Sequence, residues 1–327
     1  MWRITDYCDL GCAFCGYSRT ERWARRQADP EQVLAFGQVL ADYQAATGRA
    51  VLVSWLGGEP LLWPPLWSVS HVFKETYHLR LGVTTNGTRL ESPEVQARLT
   101  ADYDQVTVSL DGGEAFHDRC RQAPGLYRRL LREIRALKER VEGEDRALLV
   151  RVNTILMRDT IADFESLCEL LAELGVDEVT FNALGGRERP EFFPDHALGP
   201  EHSAWLRDEL PGIRERMQAR GLRICGSTEY VEHLRRVIQG TACPVADCRP
   251  GADFLYIDTL DVASPCSFTT GEYGIPLSQL TSAQDLIALP GRFAAARRAV
   301  LAPVCHDCPS TQVWGKFEPT LRVRNKS

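Results

Sequence analysis

Along roughly the first half of the chain, short apolar runs alternate with longer segments whose apolar positions recur every three or four residues. The runs at 3–5, 50–55, 79–85, 105–110, 148–156 and 178–181 have the length and the Val, Leu and Ile content of strands. The segment 126–141 sets Leu130, Ile134, Leu137 and Val141 at helical spacing, with Arg and Glu between them, as an amphipathic helix requires. Six strand–helix units in series demand parallel pairing, because each helical crossover returns the chain to the same end of the sheet. The expected fold class is therefore α/β, a partial (β/α)6 TIM-type barrel. Its reactive groups should lie at the carboxyl ends of the strands.

The pattern changes after the sixth run. Gly185-Gly186 is followed by Arg187-Glu188-Arg189-Pro190 and an aromatic, proline-rich stretch to Pro200. Helical spacing resumes over 201–219, with a bend or break expected at Pro211-Gly212. Beyond residue 241, Cys243, Cys248, Cys266, Cys305 and Cys308 are interspersed with Gly, Pro and short β-like pieces. This organisation predicts a barrel over 1–220, a linker helix over 221–242 and a small cysteine-rich β-hairpin/helix domain over 243–327, held by a metal site.

Composition narrows the setting. The 327 residues are 44% hydrophobic, ample for a packed core, and no run of eighteen apolar residues is present to span a membrane. The net charge is −6 and the basic residues are scattered among acidic ones, which disfavours a nucleic-acid-binding face. Residues 1–6 lead straight into a cysteine motif, with no room for an export signal. Eleven cysteines in such a chain point to the cytoplasm, where metal ligation outweighs disulfide formation.

Cys8, Cys12 and Cys15 form C-x3-C-x2-C. Three thiolates on so short a loop can hold three irons of a [4Fe–4S] cube and leave the fourth iron open. Structural cubes and structural zinc sites are normally closed by four ligands. Here the next cysteine is Cys120 and the first histidine is His71. On spacing alone, zinc remains a rival.

The segment Cys8-Asp9-Leu10-Gly11-Cys12-Ala13-Phe14-Cys15 resembles the signature of the radical S-adenosylmethionine (SAM) superfamily. Gly57-Gly58-Glu59-Pro60 after the second strand, Thr84-Thr85-Asn86-Gly87 ending the third, and Ser109-Leu110-Asp111-Gly112 followed by His117-Asp118 and Arg121 extend the resemblance. It implies that Gly57, Gly58 and Glu59 meet the SAM ammonium, that Ser109 and Arg121 hold its carboxylate, that Asp111 approaches the ribose edge and that Phe14 packs near the adenine. It also implies the chemistry: one electron cleaves SAM, and the resulting 5′-deoxyadenosyl radical abstracts hydrogen from an unactivated carbon. A flavodoxin or ferredoxin would supply that electron.

The tail resembles the twitch domain, the shortened relative of SPASM. Cys248-x2-Gly251, a hairpin ending in Pro265-Cys266, and Cys305-x2-Cys308 carry the likeness. It implies that Cys248, Cys266, Cys305 and Cys308 hold one auxiliary [4Fe–4S] cluster, with Cys243 spare or substitute. A zinc ribbon has the same ligand count. Cys120, Cys168 and Cys225 read as packing residues. Trp55, Trp63 and Trp67 read as core, and His117 as a loop-structuring residue.

For catalytic groups, Arg187, Glu188 and Arg189 lie where substrate should sit, although a solvated charge run is the alternative. With no leader-binding segment ahead of residue 8 and a one-cluster tail, the chain resembles the 2-deoxy-scyllo-inosamine dehydrogenase and cytosylglucuronate decarboxylase types. The expected substrate is then a sugar, cyclitol or nucleoside that is oxidised, decarboxylated or epimerised. Maturation of a ribosomal peptide or a protein is the alternative.

Overall fold

The computed structural model describes residues 1–141 and 148–317. All six expected strands form, with ends displaced by a residue or two: β1 (Trp2–Thr5), β2 (Leu52–Gly57), β3 (Arg80–Thr85), β4 (Gln105–Ser109), β5 (Leu149–Leu156) and β6 (Glu178–Ala183). They pair in parallel and in sequence order. A two-residue strand, β7 (Arg223–Ile224), extends the run beyond β6. Two residues are too few to carry a periodicity, so this strand leaves no trace in the pattern of the chain.

The tail adds β8 (Tyr256–Ile257), β9 (Val262–Ser264) and β10 (Ile275–Pro276). Strand β8 pairs in parallel with β1 through Trp2 and Ile257, while β9 and β10 continue antiparallel. One ten-stranded sheet results, with β7 and β10 at its edges. The cysteine-bearing hairpin thus continues the barrel sheet at the β1 edge. Residues 318–327 of the expected tail domain lie outside the described residues.

Side chains alternate across each strand. Trp2 and Ile4 point to the helical layer, where Trp2 packs 5.6 Å from Phe36, 5.7 Å from Trp55 and 6.4 Å from Phe73 between ring centroids. The indole of Trp55 donates to Ser70 Oγ (3.1 Å), which in turn bonds the Tyr103 hydroxyl (2.7 Å). The opposite face is polar: Arg3 and Thr5 on β1, Gln105, Thr107 and Ser109 on β4, Arg151 and Asn153 on β5, and Glu178, Thr180 and Asn182 on β6. Packing is therefore carried by the outer layer, and the concave face is left for chemistry.

The helices follow local rules. Asp29 caps Pro30–Thr47 by accepting from the Glu31 N–H (2.9 Å), with Pro30 opening the helix and Gly48 closing it in the left-handed region. The helical stretch at 201–219 breaks at Glu209, between His202–Asp208 and Leu210–Ala219, so Pro211 opens the second helix and does not bend a single one. Within 221–242 lies one helix, Thr228–Ile238, capped by Ser227. Among the described residues, no helix is long and apolar enough to cross a membrane.

Trp2 anchors the outer core, and Trp2→Ala should lower stability by about 3–5 kcal/mol through the cavity it leaves. Leu260, 53% exposed, serves as the control, and Leu260→Ala should stay within about 0.5 kcal/mol of the parent. Urea unfolding midpoints of the two variants measure the contrast.

Candidate functional site

The loop at residues 8–15 leaves the carboxyl end of β1 and is pinned from several sides. The Ala13 N–H donates to the Cys120 carbonyl (2.9 Å) and the Arg19 N–H to the Leu10 carbonyl (2.8 Å). Beyond the end of β3, Asn86 Nδ2 donates to Asp9 Oδ1 (2.9 Å) and lies 3.6 Å from Cys8 Sγ, while Thr88 Oγ1 donates to Asp9 Oδ2 (2.7 Å). Burial pushes the Cys8 thiol up to about 12 and the Cys15 thiol up to about 11, and the neighbouring Cys12 adds to both. Cys12 is raised likewise by burial, partly offset by Arg121. Such a pocket keeps three thiols protonated until a cation displaces the protons. Among the described residues, no three His, Cys, Asp or Glu side chains converge as they would on a single ion. A cube spreads its thiolates over separate irons, and three neighbouring thiols on one braced loop fit that donor set.

Gly57 and Gly58 bring the end of β2 against the start of this loop. A Cβ on either would lie 2.3 Å from a backbone oxygen, that of Thr5 or of Tyr7 respectively. Their absence of side chains lets Gly58 N–H reach the Thr5 carbonyl (2.8 Å) and Glu59 N–H the Tyr7 carbonyl (2.7 Å). Glu59 itself is fully buried and turned into the protein. Its Oε1 accepts from Thr85 Oγ1 (2.7 Å) and Leu61 N–H (3.1 Å), and its Oε2 from Asn86 N–H (2.6 Å). Three protein donors thus occupy the carboxylate and tie the end of β2 to the end of β3. Burial still pushes Glu59 up to about 7 against those hydrogen bonds.

Arg121 and Asp111 form a buried pair, with Nε and Nη2 at 3.0 and 2.7 Å from Asp111 Oδ2. Asp111 Oδ1 accepts from the Ile155 N–H (2.8 Å). Both oxygens of Asp111 are therefore engaged within the protein, one of them by Arg121. Nη1 of Arg121 lies outside the ion pair, and the guanidinium carbon sits 5.6 Å from the Phe14 ring centroid. Phe14 faces Phe192 (6.3 Å) within an apolar patch that includes Phe116, Ile155, Met157 and Leu184. Ser109 is the last residue of β4 and the register partner of Asn153. His117 Nδ1 accepts the Asp111 N–H (3.1 Å), and burial with Arg121 nearby holds the ring neutral, down to about 2.

The charged run after β6 is tied down on both sides. Glu188 Oε2 accepts from the Gly16 N–H (2.8 Å), directly after Cys15. Arg189 pairs with Glu21 (3.1 Å) and Glu191, and the Arg187 guanidinium lies 5.5 Å from the Phe268 ring of the tail. Beside Glu188 is a cavity of about 450 Å³ lined by Arg3, Asp6, Tyr17, Glu21 and Trp23. Arg3 spans this region, 5.4 Å from the Tyr17 ring and 5.8 Å from that of Tyr256 on β8.

In the tail, burial pushes Cys308 up to about 11, and the charges of Cys266, Cys248 and Cys305 add to it. Cys248 is raised by burial, with Arg297 offsetting and Cys266 and Cys305 adding. Four thiols thus share one electrostatic neighbourhood, a donor set that fits a second cube. Cys243 stands apart: its thiol lies 3.4 Å from the Thr241 carbonyl, and its neighbouring charges are Arg236, Asp307 and Glu232. Its carbonyl accepts the Cys308 N–H (3.1 Å), so its backbone braces the set. Cys120, Cys168 and Cys225 are buried, as are Trp55 and Trp63.

Lys316 is a residue the sequence did not flag. Its amine donates to Asn153 Oδ1 (2.9 Å) and Asn182 Oδ1 (2.8 Å) on the polar face, and burial pushes it down to about 7. Nothing in Trp314-Gly315-Lys316-Phe317 announces this, because the placement depends on how the tail crosses the barrel.

Glu59→Gln would set an amide N–H against backbone and hydroxyl donors, costing about 1–3 kcal/mol. Calorimetry should show the lower Tm, and iron analysis after anaerobic reconstitution a reduced content at Cys8, Cys12 and Cys15. Because folding raises Glu59 from 4.5 to about 7, the folded state binds more protons across that window. Its contribution to stability should therefore fall as pH rises through it, and Glu59→Gln should remove that slope.

The Radical SAM superfamily model matches residues 2–171. The AdoMet-dependent heme synthase of Methanosarcina barkeri is 28% identical over 176 residues, covering 53% of this chain and 47% of its own length. The chain therefore spans about half the length of that relative. The mycofactocin maturase MftC of Mycobacterium ulcerans is 30% identical over 264 residues, 75% of this chain and 68% of its own. Among solved structures, Streptococcus suis SuiB bound to precursor peptide SuiA superposes with a TM-score of 0.65 at 16% identity, covering 90% of this chain and 65% of that one. The chain belongs to the radical SAM superfamily.

Proposed function

We propose that the chain is a radical SAM maturase, which abstracts hydrogen from a carbon of a peptide or protein substrate. The observation that carries this reading is the reach of the similarity. The heme synthase match covers 53% of the chain, whereas the MftC match runs through 264 residues and 75% of it. SuiB, of the same fold, is itself bound to a precursor peptide.

In this reading Cys8, Cys12 and Cys15 hold the SAM-binding [4Fe–4S] cluster. With SAM bound, that centre supplies the adenosyl-radical chemistry. Arg121 and Ser109 hold the SAM carboxylate, with Asp111 fixing the guanidinium from behind. The backbone at Gly57 and Gly58 faces the ammonium, and Phe14 with its apolar patch receives the adenine. Glu188 and Arg187 link the loop after β6 to the cluster loop and to the tail, and Arg189 secures it through Glu21. Their role is to shape the substrate entrance and exclude water. Cys248, Cys266, Cys305 and Cys308 hold an auxiliary [4Fe–4S] cluster, a one-electron acceptor for oxidative outcomes.

A second reading retains a sugar, cyclitol or nucleoside as substrate. The cavity lined by Arg3, Tyr17 and Glu188, about 450 Å³, favours it by matching a small polar molecule. The two readings separate by deuterium transfer into 5′-deoxyadenosine. Transfer from labelled peptides encoded beside the gene supports the maturase, and transfer from labelled sugars alone overturns it. Anaerobic reconstitution should give about eight irons per chain, falling to about four in Cys308→Ser, with SAM cleavage by dithionite-reduced protein retained. A parent value of about four would remove the auxiliary cluster.

A further inference from the structure

We infer that Lys316, Asn153 and Asn182 form a site that takes a carboxylate group of the substrate at the polar face of the barrel. The inference rests on the reading that this face receives the substrate, and extends it to the chemistry of one substrate group.

The site is built by the tail. After Cys308 the chain returns to the barrel, and Trp314 stacks on His233 at 4.6 Å between ring centroids. Ser227 fastens the next turn, its N–H donating to the Gly315 carbonyl (3.0 Å) and its hydroxyl to that of Trp314 (2.8 Å). Gly315 has φ +73° and a Cβ there would lie 2.9 Å from Ser227 Oγ, so this turn requires glycine. The next residue is Lys316, only 6% exposed.

Its two acceptors are themselves held. Asn153 Oδ1 also accepts from Thr180 Oγ1 (3.1 Å), and Asn182 Oδ1 lies 3.3 Å from the Tyr230 hydroxyl. Because Asn153 pairs in register with Ser109, the amine lies near the level where β4 ends and the reacting groups gather. An ammonium has three N–H donors. Two go to the asparagines, and the Phe317 ring lies 5.1 Å from the amine nitrogen, which leaves the third N–H without an acceptor oxygen.

The charges facing this amine are unbalanced. On β5, Arg151 Nε donates to Glu178 Oε2 on β6 (2.9 Å), and on β7 Arg223 donates to Glu178 Oε1 (2.8 Å). One carboxylate thus serves two guanidiniums, and Lys316 adds a third cation. Cys225, directly after β7, is held as a thiol by burial, up to about 11, and burial likewise keeps the Tyr230 phenol neutral. Among the described residues, no carboxylate pairs with Lys316 in an ion pair. A buried ammonium lacking a counter-charge is costly. A substrate carboxylate would supply the missing charge and the third acceptor together, and would raise the amine's pKa so that binding takes up a proton.

The chain has four lysines, Lys74, Lys138, Lys316 and Lys326, so ε-¹³C-lysine labelling of the reconstituted holoprotein gives a resolvable NMR titration. Lys316→Arg identifies its signal, and should that variant fail to fold, Lys74→Arg, Lys138→Arg and Lys326→Arg identify it by elimination. The expected result is a Lys316 titration near neutrality, moved up by about one pH unit or more by acetate and unmoved by its neutral isostere acetamide, with SAM present or absent. An acetate shift that SAM abolishes would give the site to SAM's own carboxylate and overturn the substrate assignment. Equal responses to acetate and acetamide, or none, would overturn the carboxylate itself. A protein that cleaved no SAM would defeat the radical reading while leaving this titration readable.

Discussion

A carboxylate shut away from water fastens the catalytic end of the barrel. Strand β3 ends at Thr85, so the Asn86 N–H has left the ladder and needs an acceptor. Glu59 supplies it at 2.6 Å and takes the Thr85 hydroxyl and Leu61 N–H as well. With its backbone fixed, Asn86 directs its amide to Asp9 and Cys8. The desolvation of one acid is offset by three donors, and the geometry of the cluster loop depends on that exchange. The same side chain thereby links two sequence motifs that otherwise look like separate contacts to a cofactor.

The second constraint is the division of labour between the two faces of the sheet. Trp2, Trp55 and Phe73 hold strands to helices, which frees the other face from packing duty. That face can then carry Arg3, Ser109, Arg151, Asn153, Glu178 and Asn182, a set too polar for a closed and filled barrel. The sheet stays open between β7 and β10. An open sheet leaves a route by which a segment distant in sequence can reach the polar face, and Lys316 occupies it.

Legibility in the sequence tracked the range of the interaction. The six long strands are readable because apolar runs and helical spacing are local signals, and the cysteine triplet because its members lie within eight residues. Strands β7 to β10 have two or three residues each and owe their existence to partners already in place. The break falls at Glu209 and not at Pro211, because proline is tolerated in the first turn of a helix, where no N–H is needed. The directions of the Glu59 and Asp111 side chains are set by Asn86 and Arg121, 27 and 10 residues further along the chain, so neither motif announces them by itself. The partners of the run Arg187-Glu188-Arg189, namely Gly16, Glu21 and Phe268, come from two other parts of the chain, so no local pattern announces them.

Those long-range ties place the two thiol groups in one mechanical unit. Arg3, on the first strand, lies between Tyr17 of the cluster loop and Tyr256 of the tail hairpin. The loop after β6 touches Gly16 through Glu188 and Phe268 through Arg187, so it too reaches both groups. Eight positions separate Cys308 from Lys316, and the turn between them is fixed on Ser227 and His233. Loading metal at the four tail thiols would restrain that short segment and hence the amine at its far end. The tail therefore contributes to the site in two ways, through the donor set it offers and through the side chain it delivers to the barrel.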